Sequence, residues 1–184
     1  MIFALFLFNA TLFALALINF VTIRHPNKIS EVKESIQILL PVRNEEENIE
    51  RILAELITQE NLLNFKVLVI DDNSEDRTLE LATRFECDRI QVISAPLPTP
   101  GWIGKVSALQ AGYEFARAHL ADVVISIDAD VHFEPDAIAR AVSTLNMADL
   151  DFISPVFAYT RNMSPRVWSS RAPLVIHILD PFST

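Results

Sequence analysis

The chain has 184 residues, 51% of them hydrophobic, and carries 15 basic against 24 acidic side chains for a net charge of −9. That length allows one domain of ordinary size with a buried core, and the acidic balance, with no basic stripe, argues against a nucleic-acid-binding surface, because phosphate backbones are held by clustered Lys and Arg. Cys87 is the only cysteine, which leaves no intramolecular disulfide and no cysteine zinc cage and fits a reducing compartment.

From Ile2 to Ile23 there is no ionisable side chain, and Phe, Leu, Ala and Ile dominate. At 1.5 Å per residue such a helix covers a hydrocarbon core of about 30 Å. Residues 1–23 therefore read as a transmembrane anchor. A cleaved signal peptide is the competing reading, but no Lys or Arg precedes the apolar run, the run is too long, and no clear small-x-small site stands before Arg24. Arg24, Lys28 and Lys33 follow the span, so the positive-inside rule puts the remainder at the cytoplasmic face of the membrane.

Residues 24–35 read as a linker. Beyond them, short β-branched runs at Ile36–Leu40, Val67–Ile70, Ile90–Ile93, Val123–Ile127 and Phe152–Val156 predict strands. Helical periods lie between them. Ile49, Ile52, Leu53, Leu56 and Ile57 repeat at i, i+3, i+4, i+7 and i+8, and Asn44 with Glu47 offers a capping box. Leu109, Gly112, Tyr113 and Ala116 line a later helix, and Ile138, Ala141, Val142 and Leu145 another. This alternation predicts an α/β fold, a mainly parallel sheet with helices on both faces. Such sheets bind ligands beyond the carboxyl ends of their strands, so the strand-to-helix junctions should carry the function.

The first junction is PVRNEEENI, from Pro41. With only Gly101, Gly104 and Gly112 in the chain, the dinucleotide fingerprint and the P-loop are excluded. The second, VIDDNSEDRT, places Asp71 and Asp72 at a strand end, with Ser74 able to cap the next helix; an aspartate there can accept hydrogen bonds from a base or ribose, or be a solvated turn carboxylate. In the third, Gly101, Trp102, Gly104 and Lys105 precede a helix. Two glycines, an aromatic and a cation suit a mobile loop closing over a phosphorylated ligand.

The fourth junction, ISIDADVHFEPDAI, gathers Asp128, Asp130, Glu134 and Asp136 with no Lys or Arg among them. In an extended backbone Asp128 and Asp130 project to one side. Two unit charges about 4 Å apart repel by about 4 kcal/mol at an effective dielectric near 20, so a positive partner is expected between them. Hard oxygen ligands with open positions suit Mg²⁺ or Mn²⁺, above all when a diphosphate completes the shell. The competing reading makes both acids solvated loop residues.

Together, PVRNEEENI, VIDDNSEDRT, GWIGKVSALQAG and ISIDADVHFEPDAI resemble the nucleotide-sugar-binding half of a family-2 glycosyltransferase with the GT-A fold, over Ile36 to about Val156. The G-W-x-G-K stretch after an apolar span resembles the branch that glycosylates membrane lipids such as carotenoid or hopanoid derivatives. The resemblance implies a metal-dependent, inverting transfer of sugar from a UDP- or GDP-linked donor to a lipid or lipid-linked acceptor. It matches Pro41, Arg43 and Glu45 to the first donor-binding loop, Asp72 to the aspartate on the nucleotide base, and Lys105 to the donor-contacting loop. Asp130 matches the direct metal ligand, and Asp128 lies nearer the donor's ribose or sugar. The family's base is an acidic residue after a Gly-Gly turn, followed in many members by Q-x-x-R-W. This chain has neither, so no residue is assigned as base, Asp180 included. Residues 36–157 are then a donor-binding domain and 158–184 the start of an acceptor-side region that relatives continue. A non-catalytic or split donor-binding fragment is the alternative, and a nucleotidyltransferase a weaker third.

Other residues take ordinary readings. The scattered His25, His119, His132 and His177 speak against zinc, although His132 is a candidate further metal ligand. Asp136 reads as a first-turn acid and Trp168 as packing. Pro173 to Leu179 reads either as a core helix or as a segment along the membrane surface.

Overall fold

The computed structural model describes residues 2–22, 30–96, 104–153 and 175–178. Helix α1 (Ile2–Thr22) is followed by β1 (Val32–Val42), α2 (Ile49–Ile57), β2 (Leu62–Asp71), α3 (Thr78–Thr83), β3 (Ile90–Ser94), α4 (Gly104–Ala118), β4 (Val123–Ser126), α5 (Ala137–Met147), β5 (Phe152–Ile153) and β6 (Val175–Ile178). The predicted α/β alternation is present. Gly101, Trp102, residues 154–156, Trp168 and Asp180 lie outside the described residues.

The six strands form one sheet in the order β3-β2-β1-β4-β6-β5. β1 pairs in parallel with β2 and with β4, and β2 with β3. Ile36, Gln37, Ile38, Leu39 and Leu40 are buried in succession, as expected of a parallel strand covered on both faces. Strand β1 starts at Val32, four positions before the sequence pattern places it, because Val32 pairs with Leu62 ahead of a register shift.

The two faces have separate cores. On one, Ile36, Ile38, Leu40, Val67, Val69 and Ile125 pack with Ile49, Ile52, Leu53 and Leu56 of α2 and with Ile138, Val142 and Leu145 of α5. On the other, Leu39, Leu68, Ile70 and Val124 meet the small residues Ala108 and Ala116 of α4. Gly112 brings α4 close. A Cβ there would stand 2.6 Å from Ile70 Cδ1 and 3.1 Å from Leu39 Cδ2, so a larger residue requires those side chains to repack or the helix to move off the sheet.

One expectation about the sheet is corrected. Residues 175–178 are neither a core helix nor a surface segment but strand β6, antiparallel to both β4 and β5. Three of the four residues of VIHI are β-branched, and pairing with two neighbours decides a run too short for periodicity to settle.

The backbone of α1 covers Ile2–Thr22, and its described side chains, residues 5–18, are exposed. Among the described residues no helix is long and apolar enough to cross a membrane.

Candidate functional site

Strand order reverses about β1, which has β2 on one side and β4 on the other. The crevice beyond the carboxyl ends at such a switch point is where open α/β sheets bind ligands. The junctions after β1, β2 and β4 and the start of α4 meet there.

The first two junctions are stitched into one wall. Asp72 N donates to Val42 O at 2.8 Å. Asn44 and Asn73 both have a φ of 55°, a left-handed conformation that Asn tolerates better than most residues. Asn44 N donates to Ser74 Oγ at 3.1 Å and Glu75 N to Asn44 Oδ1 at 2.8 Å. Glu45 N donates to Thr78 Oγ1 at 2.8 Å, Glu46 N to Asp76 Oδ2 at 3.2 Å, and Arg77 N to Glu46 Oε2 at 3.2 Å. These bonds displace two expected caps. Asn44 does not cap α2, whose N-cap position is Asn48, and Ser74 accepts from Asn44 instead of capping α3, whose N-cap position is Arg77. The amides of residues 44–46, 75 and 77 are satisfied by the other loop, a demand that sequence spacing within either one cannot show.

Asp76 is the acid at the centre of this stitch. Burial raises its pKa, but hydrogen bonds from the Thr78 hydroxyl and amide and from the Glu46 amide outweigh it and hold the carboxyl below its ordinary value. A carboxyl lowered on folding adds stability above its unfolded pKa, and that stability is lost as pH falls through the folded value. Asp76→Asn should therefore flatten the acid-side decline of stability below about pH 4, the ordinary carboxylate range. Urea unfolding of both proteins at stepped pH checks this, and parallel curves would remove Asp76 from the acid limb.

Asp71 and Asp72 are both buried, at 3% and 6% exposure. Asp71 Oδ2 accepts from Ser74 N at 3.3 Å, and its Oδ1 has no partner. Asp72 faces Arg43, whose guanidinium lies 3.7 Å away, and it also abuts the start of α4. A Cβ on Gly104 would come 2.2 Å from Asp72 Oδ2. Glycine is required there for the carboxylate and the helix start to share the space. Arg43 is exposed, while Pro41 and Glu45 are half-buried at the same strand end.

The acidic junction differs from its expected form. Asp128 leaves β4, but Ala129 and Asp130 form a turn rather than an extended pair, with Val131 N donating to Asp128 O at 3.4 Å. The positive partner of Asp128 is Lys105, whose Nζ lies 2.5 Å from Asp128 Oδ1. It comes from the start of α4, 23 positions back in the chain, which is why the local sequence offers no cation. Asp130 keeps a buried Oδ1 with no hydrogen-bond partner.

An unpartnered buried carboxylate oxygen is costly unless something positive meets it, and one carboxylate with open positions is how Mg²⁺ or Mn²⁺ is commonly held beside phosphates. The donor set thus fits a divalent ion on Asp130, with Asp128 engaged by Lys105. Among the described residues no three His, Cys, Asp or Glu side chains cluster as a metal cage. His132, a candidate ligand in the sequence, has its Nδ1 2.9 Å from Glu55 Oε1 and 3.1 Å from an Arg51 nitrogen. Asp136 occupies the N-cap position of α5 without capping it and pairs with Arg140 at 2.6 Å. Arg51 and Glu55 of α2 and Gln59 just past its end, which nothing in the junction motifs points to, hold the loop that carries Asp130.

Comparisons with known proteins bear on the family and the fold. The undecaprenyl-phosphate 4-deoxy-4-formamido-L-arabinose transferase of Pectobacterium carotovorum is 32% identical over 116 residues, 62% of this chain and 34% of that protein. The 4,4'-diaponeurosporenoate glycosyltransferase of Staphylococcus haemolyticus is 31% identical over 114 residues, 61% of this chain and 28% of that protein. The chain spans about a third of the length of these relatives. Among solved structures, a mannosyltransferase from Pyrobaculum calidifontis in complex with GDP-Man and Mn²⁺ superposes with a TM-score of 0.59 at 19% identity, over 80% of this chain and 43% of that one. TarS 1-349 of S. aureus in complex with UDP gives 0.55 at 18% identity, over 78% and 46%. At such identities these two show a shared GT-A-like fold alone. The model for "Glycosyl transferase family 2" matches residues 37–183, and the chain belongs to that family.

Proposed function

We propose that the chain binds a UDP- or GDP-linked sugar in the crevice between β1 and β4 and serves its transfer, with inversion, to a lipid or lipid-linked acceptor at the cytoplasmic face of a membrane. The observation that carries this reading is the convergence of Asp72, Lys105, Asp128 and Asp130 at the switch point of the sheet. The names of the relatives supply the acceptor class, undecaprenyl phosphate and a carotenoid acid, and the named complexes supply the donor class, GDP-Man and UDP.

The chemistry follows from the residues. Asp72, fixed between Arg43 and α4, accepts hydrogen bonds from the base. Arg43, exposed at the rim, remains free to swing toward the donor. Lys105 stands where the diphosphate arrives and can leave Asp128 for phosphate, so that Asp128 turns to the ribose or sugar hydroxyls. Asp130 would hold Mg²⁺ or Mn²⁺, and that ion, when bound, neutralises charge growing on the leaving diphosphate. The two stitched loops form one wall of the crevice and hold the buried Asp71 and Asp72 in place.

The membrane reading rests on α1. Leu5, Phe6, Leu7, Phe8 and Phe13 are 57–71% exposed, and an apolar helix left bare in water is a strong reason to assign it a lipid environment. Two measurements test the proposal. Titration calorimetry of the full chain in detergent should show saturable UDP or GDP binding that needs Mn²⁺; no binding of either overturns the donor assignment. Deleting residues 2–23 should release the protein from membranes on alkaline washing, and a chain that stays in the pellet overturns the anchor.

A further inference from the structure

The loop after β4 is held in place by α2 and the turn that follows it. Arg51 and Glu55 stand at i and i+4 on one stripe of the helix, and Gln59 follows in the turn just past its end. Arg51 donates to Val131 O at 2.8 Å through one terminal nitrogen and to Ala129 O at 3.0 Å through the other. Glu55 Oε2 accepts from Phe133 N at 2.9 Å, and its two oxygens lie 3.2 and 3.3 Å from Arg51. Gln59 donates to Glu134 O at 2.8 Å and accepts from Ile138 N at 3.2 Å. The backbone after α2 adds to these contacts, since Glu60 N donates to Pro135 O at 2.6 Å. The opposite stripe, Ile49, Ile52, Leu53 and Leu56, is 0% exposed, so the contacts stand on a rigid base.

By sequence alone Arg51 and Glu55 are an i, i+4 surface pair, worth a few tenths of a kcal/mol. Here the guanidinium grips the carbonyls of the residues on either side of Asp130. The buried Oδ1 of Asp130 has no hydrogen bond of its own to fix it, so the direction of that carboxylate is set by its backbone, and Arg51 sets the backbone. Only a planar fork reaches both carbonyls; a Lys ammonium is a single point charge on a flexible stem.

We propose that Arg51, braced by Glu55, is the positioning residue that aims Asp130 at a divalent cation. The proposal rests on the metal-dependent reading given above. Two readouts on the full chain in detergent separate the two ideas: amide hydrogen exchange across 130–134 without ligand, and the dissociation constant of Mn²⁺ at saturating UDP or GDP. Arg51→Met should speed exchange across 130–134 about tenfold, as loss of charge-assisted hydrogen bonds does, while amides 52–57 stay protected. It should also weaken Mn²⁺ by about 10-fold to 100-fold, the usual effect of removing an outer-shell partner. Arg51→Lys should fall between parent and Arg51→Met, and Glu55→Gln should loosen the same amides if Arg51→Met fails to fold. Unchanged exchange overturns the positioning role, and a loosened loop with unchanged Mn²⁺ affinity overturns its link to Asp130. A parent chain that binds no Mn²⁺ overturns the metal reading and this link with it, while exchange still decides whether Arg51 pins the loop.

Discussion

Asp130→Asn is expected to abolish the rise in melting temperature that UDP or GDP with Mn²⁺ gives the parent chain. A ligand at 100 times its dissociation constant stabilises the folded state by about 2.7 kcal/mol. For a chain of this length each kcal/mol moves the midpoint by about 2–4 °C, so about 5–10 °C is at stake. Asparagine keeps the size of the side chain and removes the charge a divalent ion needs. The structure also ranks the neighbouring acid: Asp128 is engaged by Lys105 at 2.5 Å, so Asp128→Asn should weaken the shift without erasing its dependence on metal. A full shift in Asp130→Asn, or a larger loss in Asp128→Asn, would reverse the assignment of the metal ligand.

Gly104→Ala is expected to cost nucleotide binding as much as Asp72→Ala does. The added methyl would lie 2.2 Å from Asp72 Oδ2, inside any real contact, and a carboxylate only 6% exposed has little room to yield. Either Asp72 rotates off the base or α4 moves and takes Lys105 with it. Overpacking of this kind typically costs about 1–3 kcal/mol, which, if taken from binding, is about 5-fold to 150-fold in affinity. A double-mutant cycle identifies the cause. If Gly104 acts by leaving space for Asp72, the double variant should bind no worse than Asp72→Ala alone, because the two changes remove one interaction. Additive losses would mean that Gly104 contributes something apart from Asp72.

Local pattern carried the fold because each element answers to its own residues. The apolar run of β1 and the i, i+3, i+4, i+7 set of α2 bury where their spacing places them, and the junction acids follow from the ends of the strands. What spacing cannot carry is contact between distant parts. The partner of Asp128 lies on another helix, and Asn44 and Ser74 meet each other rather than capping their own helices. Arg51, Glu55 and Gln59 look like a solvated face until the loop folds across them. The placement of β6 failed for a related reason, since VIHI is too short to have a period and only its neighbours make it a strand.

That strand also bears on how the sheet is completed. β6 sits between β4 and β5, although it leaves the ribosome after both. Until β6 docks, β4 has one side paired to β1 and the other side open. Open strand edges recruit other chains, and such exposure is the hazard of slow, non-local assembly. The docking of β6 is therefore the step that shields the side of β4 facing away from β1 from pairing with another chain.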